Sequence, residues 1–127
     1  MTAVVNTDDR PKWLGYVLHG VSGLLTLAFV LAGGSKLMGA EMHVQNFQNW
    51  GYPGWFMYVT GTIEVLGAIL VIIPKTRFYG AALLVATMIG AVITHIQAGE
   101  FPMIPVPLVL LLLAGFVAWN NKSAIGR

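Results

Sequence analysis

The sequence predicts an all-α fold: a transmembrane four-helix bundle with a short interfacial helix on its outer face. Three observations carry this reading. Four apolar segments each have the length to span a membrane, the charges are too few to cover a water-soluble surface, and the basic residues lie almost entirely on one side. Of the 127 residues, 57% are hydrophobic and only 9% are charged, against roughly 25% in an average soluble domain. The mean hydropathy is +0.75. A soluble domain of this size exposes much of its surface and must cover it with polar groups, which this composition cannot do. The chain is long enough for one membrane domain over 1–127.

A spanning helix needs about 20 largely apolar residues, and four segments meet that need: 13–36, 53–73, 77–98 and 103–119. The polar leader 1–12 includes Asp8 and Asp9. The apolar run after it exceeds the roughly 7–15 residues of a signal core, so the first span is expected to stay in the mature protein. Pro74 closes the second span at a tight turn. Pro102, Pro105 and Pro107 cluster at the start of the fourth, where missing amide donors are tolerated. The only sizeable loop is 39–52. Within it His43, Phe47 and Trp50 recur at helical spacing, which predicts the interfacial helix.

Charge sets the expected orientation. Arg10 and Lys12 precede the first span, Lys75 and Arg77 flank the second turn, and Lys122 and Arg127 follow the fourth span; Lys36 alone lies on the other side. The positive-inside rule then places both termini in the cytoplasm. Aromatic belts agree, with Trp13, Tyr16, Phe78, Tyr79 and Trp119 at the inner interface and Trp50, Tyr52, Trp55 and Tyr58 at the outer one. The net charge of +2 is spread over these turns, so topology accounts for it and no nucleic-acid partner is expected. The absence of cysteine excludes disulfides, Cys-ligated metals and thiol redox chemistry.

Lipid tails are as apolar as leucine, so membrane helices associate through small residues and polar contacts. On that basis the third span turns Ala82, Ala86, Gly90, Thr94 and Ala98 inward, with Thr87, Ala91 and His95 beside them. The first span offers His19, Ser22, Gly23, Thr26 and Gly33. The second offers Thr60, Gly61, Glu64, Gly67 and Ala68. The fourth, nearly all branched aliphatic over 108–113, is expected to have the most lipid contact.

Glu64 is the candidate functional residue. It lies near the middle of the second span, where a charged side chain costs roughly 2.5–3.5 kcal/mol on insertion scales. Its plainer reading is a carboxylic acid that hydrogen-bonds neighbouring helices. Three cations are available as partners: His19, Lys36 and His95. Helical Cα–Cβ bonds tilt toward the helix N-terminus. Glu64 therefore leans toward the outer surface, while Lys36 and His95 lean back into the bilayer toward it and His19 leans away. The expected site is a polar pocket of Lys36, Glu64 and His95 in the outer half of the bundle. Each partner also has a plainer role: Lys36 snorkelling to the surface, His95 as an interfacial residue and His19 as a packed, hydrogen-bonded one. His43 is expected to be exposed. No two histidines stand at i and i+4, so no metal site is expected. Phosphate-binding glycine loops and nucleophile elbows do not occur.

The run from Leu31 through Gly33, Gly34, Ser35, Lys36 and Leu37 to Gly39 closes the first span. Phe47, Trp50, Gly51 and Pro53 follow, then Gly61, Glu64 and Gly67, a short basic turn with Arg77, and a helix carrying His95. In that order, over about 24–119, the chain resembles the DoxX-like family of small four-helix membrane proteins. The resemblance implies the bacterial inner (plasma) membrane. It also implies one of several roles: a membrane subunit of a quinone-linked oxidoreductase, a companion of a soluble redox enzyme, or a factor in membrane-protein assembly. Lys36, Glu64 and His95 are the positions it suggests for a quinone or other small ligand, with Glu64 as the candidate catalytic acid.

Two classes of function follow. In one, the protein is a non-catalytic subunit, scaffold or assembly factor in the lipid bilayer, with a partner protein or a second copy of itself. In the other it interacts with quinone: Glu64 relays protons while His95 or Lys36 bonds a quinone carbonyl, and a soluble or membrane redox partner supplies electrons. A small proton-coupled transporter is a further alternative, although the chain has no internal repeat of the kind such transporters use.

Overall fold

The computed structural model describes residues 10–124. Asp8, Asp9 and Arg127, which enter the orientation argument, lie outside them. Five α-helices follow in order: α1 (Lys12–Leu37), α2 (Glu41–Asn49), α3 (Gly54–Ile72), α4 (Arg77–Gln97) and α5 (Pro105–Asn120). No strand occurs among the described residues. α1, α3, α4 and α5 belong to the four segments long and apolar enough to cross a membrane. α2 is the short helix expected in the loop.

Local chemistry explains the helix ends. α3 begins after Pro53, and α5 carries Pro105 in its first turn, where a proline removes only a donor that would lack a helical partner. α1 and α4 end on Gly39 and Gly99, both at φ 71°. That left-handed conformation suits glycine and turns the chain so that freed carbonyls find donors. Ala40 N–H donates to Ser35 O at 3.0 Å, and Glu100 N–H donates to His95 O at 2.8 Å.

α1 packs on α3, α3 on α4, α4 on α5, and α5 touches α1, which closes a ring of four helices. The chain runs up α1 and down α3, up α4 and down α5. One end of the bundle therefore carries α2 and the α4–α5 connection. The other, basic end carries the start of α1, the α3–α4 turn and the end of α5. Leu18, Leu25 and Phe29 of α1 meet Ala68 and Val71 of α3, Ala81, Leu84 and Met88 of α4, and Ala114 and Val117 of α5 in one core.

The inward face of α4 differs from the expected stripe. Ala86, Gly90 and Ala98 are exposed and Ala82 is half-buried, whereas Arg77, Gly80, Ala81, Leu84, Met88 and Thr94 are buried. The reason lies in α3. At Gly80 an added Cβ would collide with the backbone of Leu70 and Val71, and at Gly67 it would stand 2.7 Å from Leu84 Cδ2; at Gly90 it would meet nothing within 4 Å. Close approach thus occurs on the Gly80 side, and the larger Leu84 and Met88 fill the space beyond it. Small residues mark a helix contact only where a partner backbone approaches them. α5 matches its expectation: 17% of its apolar window is buried, against 22–33% for the other three. Leu108, Val109, Leu112 and Phe116 are exposed, although Leu111 is half-buried against the core.

Candidate functional site

The site is built on the crossing of α1 and α3. A Cβ added at Gly33 would lie 2.7 Å from Gly61 O, and one added at Gly61 would lie 2.8 Å from Gly33 O. The two backbones touch, and only glycine fits both positions. One turn further along each helix stand Lys36 and Glu64. The antiparallel crossing and the N-terminal tilt of Cα–Cβ bonds aim them at each other. Lys36 Nζ reaches Glu64 Oε1 at 2.8 Å, with side-chain exposures of 12% and 3%. No other hydrogen bond reaches that oxygen among the described residues. Each charge is therefore the other's principal partner. Removing one member of a buried pair leaves an uncompensated charge and costs about 3–5 kcal/mol, whereas replacing both by apolar groups is often neutral.

His95 does not join them. Its Nδ1 lies 2.9 Å from Glu100 Oε1, and its ring meets Trp50 edge-on at 5.5 Å between centroids. Trp50 Nε1–H donates to the same carboxylate oxygen at 3.0 Å. The expected three-residue pocket is thus two separate groups. The physical reason is local: the turn at Gly99 folds Glu100 back over the last turn of α4, and closing so short a loop costs little entropy. Glu100 is the residue that reading the sequence passes over. Its signal is a carboxylate five positions after a helix-terminal histidine, with a glycine between.

His19 turns away from Glu64, as expected, and meets Arg77. Arg77, read from the sequence as a loop charge, is buried at 5% exposure. It donates through Nε to Val71 O at 2.8 Å, through Nη2 to Ile72 O at 3.1 Å and through Nη1 to His19 Nδ1 at 3.1 Å. It satisfies carbonyls that the end of α3 leaves without helical partners. His43, expected to be exposed, is half-buried. Its Nε2 lies 2.9 Å from Ser35 Oγ, which ties α2 to α1. Burial first, and the nearby Lys36 ammonium second, hold its imidazole below the ordinary histidine pKa.

At the α2 end, Phe47, Trp50, Tyr52 and Phe56 form a mutually packed aromatic cluster. Tyr52 Oη and Thr94 Oγ1 share a hydrogen bond of 2.6 Å. Asn49, Trp50, Tyr52, Thr94, Gln97 and Ala98 line a cleft of about 160 Å³ here. No group of three or more His, Asp or Glu side chains among the described residues is placed to hold a metal ion.

Four membrane-length helices crossing around a buried lysine–glutamate pair define a small integral membrane protein. The chain belongs to the DoxX-like family, whose sequence pattern matches residues 20–117. It is similar to two proteins of Bacillus subtilis (strain 168). One, named "Putative oxidoreductase CatD", is 37% identical over 79 residues, covering 61% of this chain and 56% of that relative. The other, named "Uncharacterized protein YdgD", is 35% identical over 72 residues, covering 53% of this chain and 63% of the relative. The matches thus span less than two thirds of either relative's length. No solved structure matches the chain.

The Glu100 contacts give a pH signature. The hydrogen bond from His95 first, and that from Trp50 second, hold the Glu100 carboxyl below the ordinary glutamate pKa. A carboxylate with a depressed folded-state pKa stabilises the fold above its unfolded pKa, and this contribution disappears as pH falls through the folded value. The native protein should therefore melt higher than Glu100→Gln by a constant margin near neutral pH, and the margin should vanish under acid. A margin independent of pH in melts from pH 7 to 3 would contradict this.

Proposed function

We propose that this protein is a non-catalytic membrane subunit, scaffold or assembly factor that accompanies a redox enzyme. One observation carries the reading: the intramembrane acid is closed on an internal lysine at a glycine-lined helix crossing, so the pair fixes helix register without needing a ligand. The relative named as an oxidoreductase supports a redox setting. The outward side of α2, where Met42 is exposed, supplies the surface for a partner protein or for a second copy of the chain. A specific observation favours a second reading, in which the protein interacts with quinone. The cleft beside Trp50, Tyr52 and Thr94 combines aromatic walls with hydroxyl and amide groups, and His95 lies next to it. There, rather than at Glu64, a carbonyl of such a ligand would find donors.

Extraction of the full chain in mild detergent separates the two. The scaffold reading predicts a stoichiometric protein partner and no lipid-soluble cofactor; stoichiometric quinone without a protein partner would overturn it in favour of the second.

We further propose that the protein lies in the bacterial inner membrane as one domain, with both termini in the cytoplasm and α2 outside. The basic residues gathered at one end of the bundle support this. Reporters fused at Met1 and Arg127 should read cytoplasmic and one inserted near Gln45 external. A cytoplasmic signal at Gln45 would contradict that orientation.

A further inference from the structure

The basic end of the bundle carries Arg10, Lys12, Lys75, Arg77 and Lys122 and, among the described residues, no carboxylate. Arg77 is the unusual member. Its guanidinium stays charged at any relevant pH and is buried, yet the acceptors it reaches are two backbone carbonyls and an imidazole nitrogen, all neutral. Buried charges are ordinarily paired with an opposite charge. Among the described residues the charge that acts on Arg77 is instead a second guanidinium, that of Arg10. Arg10 is held in place through Nη2 on Asn120 O at the end of α5.

His19 completes the arrangement. Arg77 Nη1 can only donate, so His19 Nδ1 accepts, and the proton of the neutral imidazole then sits on Nε2. The residue is exposed, so this N–H is offered at the surface of the bundle. α4 starts at the same place with no acidic residue in its first turn and no side-chain cap, which adds the positive potential of a helix N-terminus. Two guanidiniums, an outward imidazole N–H and an uncapped helix start thus converge with no anion of their own among the described residues.

We propose that Arg10, His19 and Arg77 form a binding site for a phosphate group, supplied in the membrane by the headgroup of an anionic phospholipid. Arg10 and His19 Nε2–H contact the phosphate oxygens, and Arg77 provides the buried positive charge behind them while fixing the imidazole tautomer. Basic pockets between helices are a recurring way of holding such headgroups. The site accounts for a cation that is buried with no carboxylate among the described residues placed to pair with it.

The test uses the purified full chain in mild detergent. Phosphatidylglycerol or phosphatidylcholine with identical acyl chains is added, and retained lipid is counted by native mass spectrometry. The native protein should retain phosphatidylglycerol in preference to phosphatidylcholine. Arg10→Gln should weaken phosphatidylglycerol retention about fivefold, the value of one basic residue near a lipid surface, and leave phosphatidylcholine unchanged. Arg77→Gln would strip the α3 carbonyls and need not fold, so Arg10→Gln is the informative variant. Inorganic phosphate identifies the source: competition with the lipid supports a shared phosphate site, and binding of phosphate alone supports the site with the free anion as its occupant. Equal retention of the two lipids with no phosphate binding, or an undiminished preference in Arg10→Gln, would overturn the proposal. So would a phosphatidylglycerol preference that arises only in Asp8→Asn/Asp9→Asn, because those carboxylates would then be the counter-charge.

Discussion

The contact between the Gly33 and Gly61 backbones is the constraint on which the rest of the bundle depends. Two helices can approach this closely only where neither carries a Cβ at the crossing, and in lipid such close packing supplies association that the hydrophobic effect cannot. The contact fixes the depth of α1 against α3, and with it the meeting of Lys36 and Glu64 one turn away. The ion pair in turn penalises any slip of register, because a slip would leave two charges unpaired in a low-dielectric interior. Backbone proximity and charge pairing thus specify the same alignment. Gly67 and Gly80 perform the steric half of this task between α3 and α4. Dispersion between Leu84, Met88 and the α5 residues completes the ring.

Several polar groups outside that crossing serve the helix ends. Arg77 gathers carbonyls from the end of α3, and Thr76 Oγ1 donates to Leu70 O at 2.7 Å in the same turn. At the opposite end Ser35 and His43 hold α2 against α1, while Trp50 and Glu100 hold it against the end of α4. α2 is therefore fastened at both of its ends across the top of the bundle. This explains how a helix of nine residues, too short to be stable alone in water, keeps a defined place. Asn49 at the end of α2 and Trp50 just after it line the cleft beside Tyr52 and Thr94, whereas the Lys36–Glu64 pair lies at the α1–α3 crossing. Among the described residues the two ends differ in charge: Glu41 and Glu100 lie near α2, and Arg10 and Arg77 lie near the α3–α4 turn.

The four spans and the short helix were legible in the sequence because hydropathy and proline placement are local signals that tertiary packing does not override. The approach of Lys36 to Glu64 was legible for a different reason. The direction of Cα–Cβ bonds on antiparallel helices is geometric, and it distinguishes Lys36 from His19 without knowledge of the packing. The same argument failed for His95, since it compares orientations and ignores a nearer competitor; Glu100 becomes one only once the Gly99 turn is formed. The stripe of small residues on α4 failed because periodicity reveals a face but not which neighbour meets it. Gly90 and Gly80 are equal as letters and differ only in whether the backbone of α3 lies opposite. Arg77 looked like a loop charge because a basic residue beside Pro74 ordinarily is one, and the carbonyls that bury it come from the unwound end of α3.

The most direct measurement of the central claim is the coupling between Lys36→Met and Glu64→Leu, taken once in the native background and once with Gly61→Ala. In the native background each single replacement should cost about 3–5 kcal/mol and the double less than either. With Gly61→Ala the added methyl forces the helices apart, and the coupling between the two replacements should shrink markedly. Simple additivity in the native background, or a coupling that Gly61→Ala leaves untouched, would contradict the view that a glycine contact creates the buried pair.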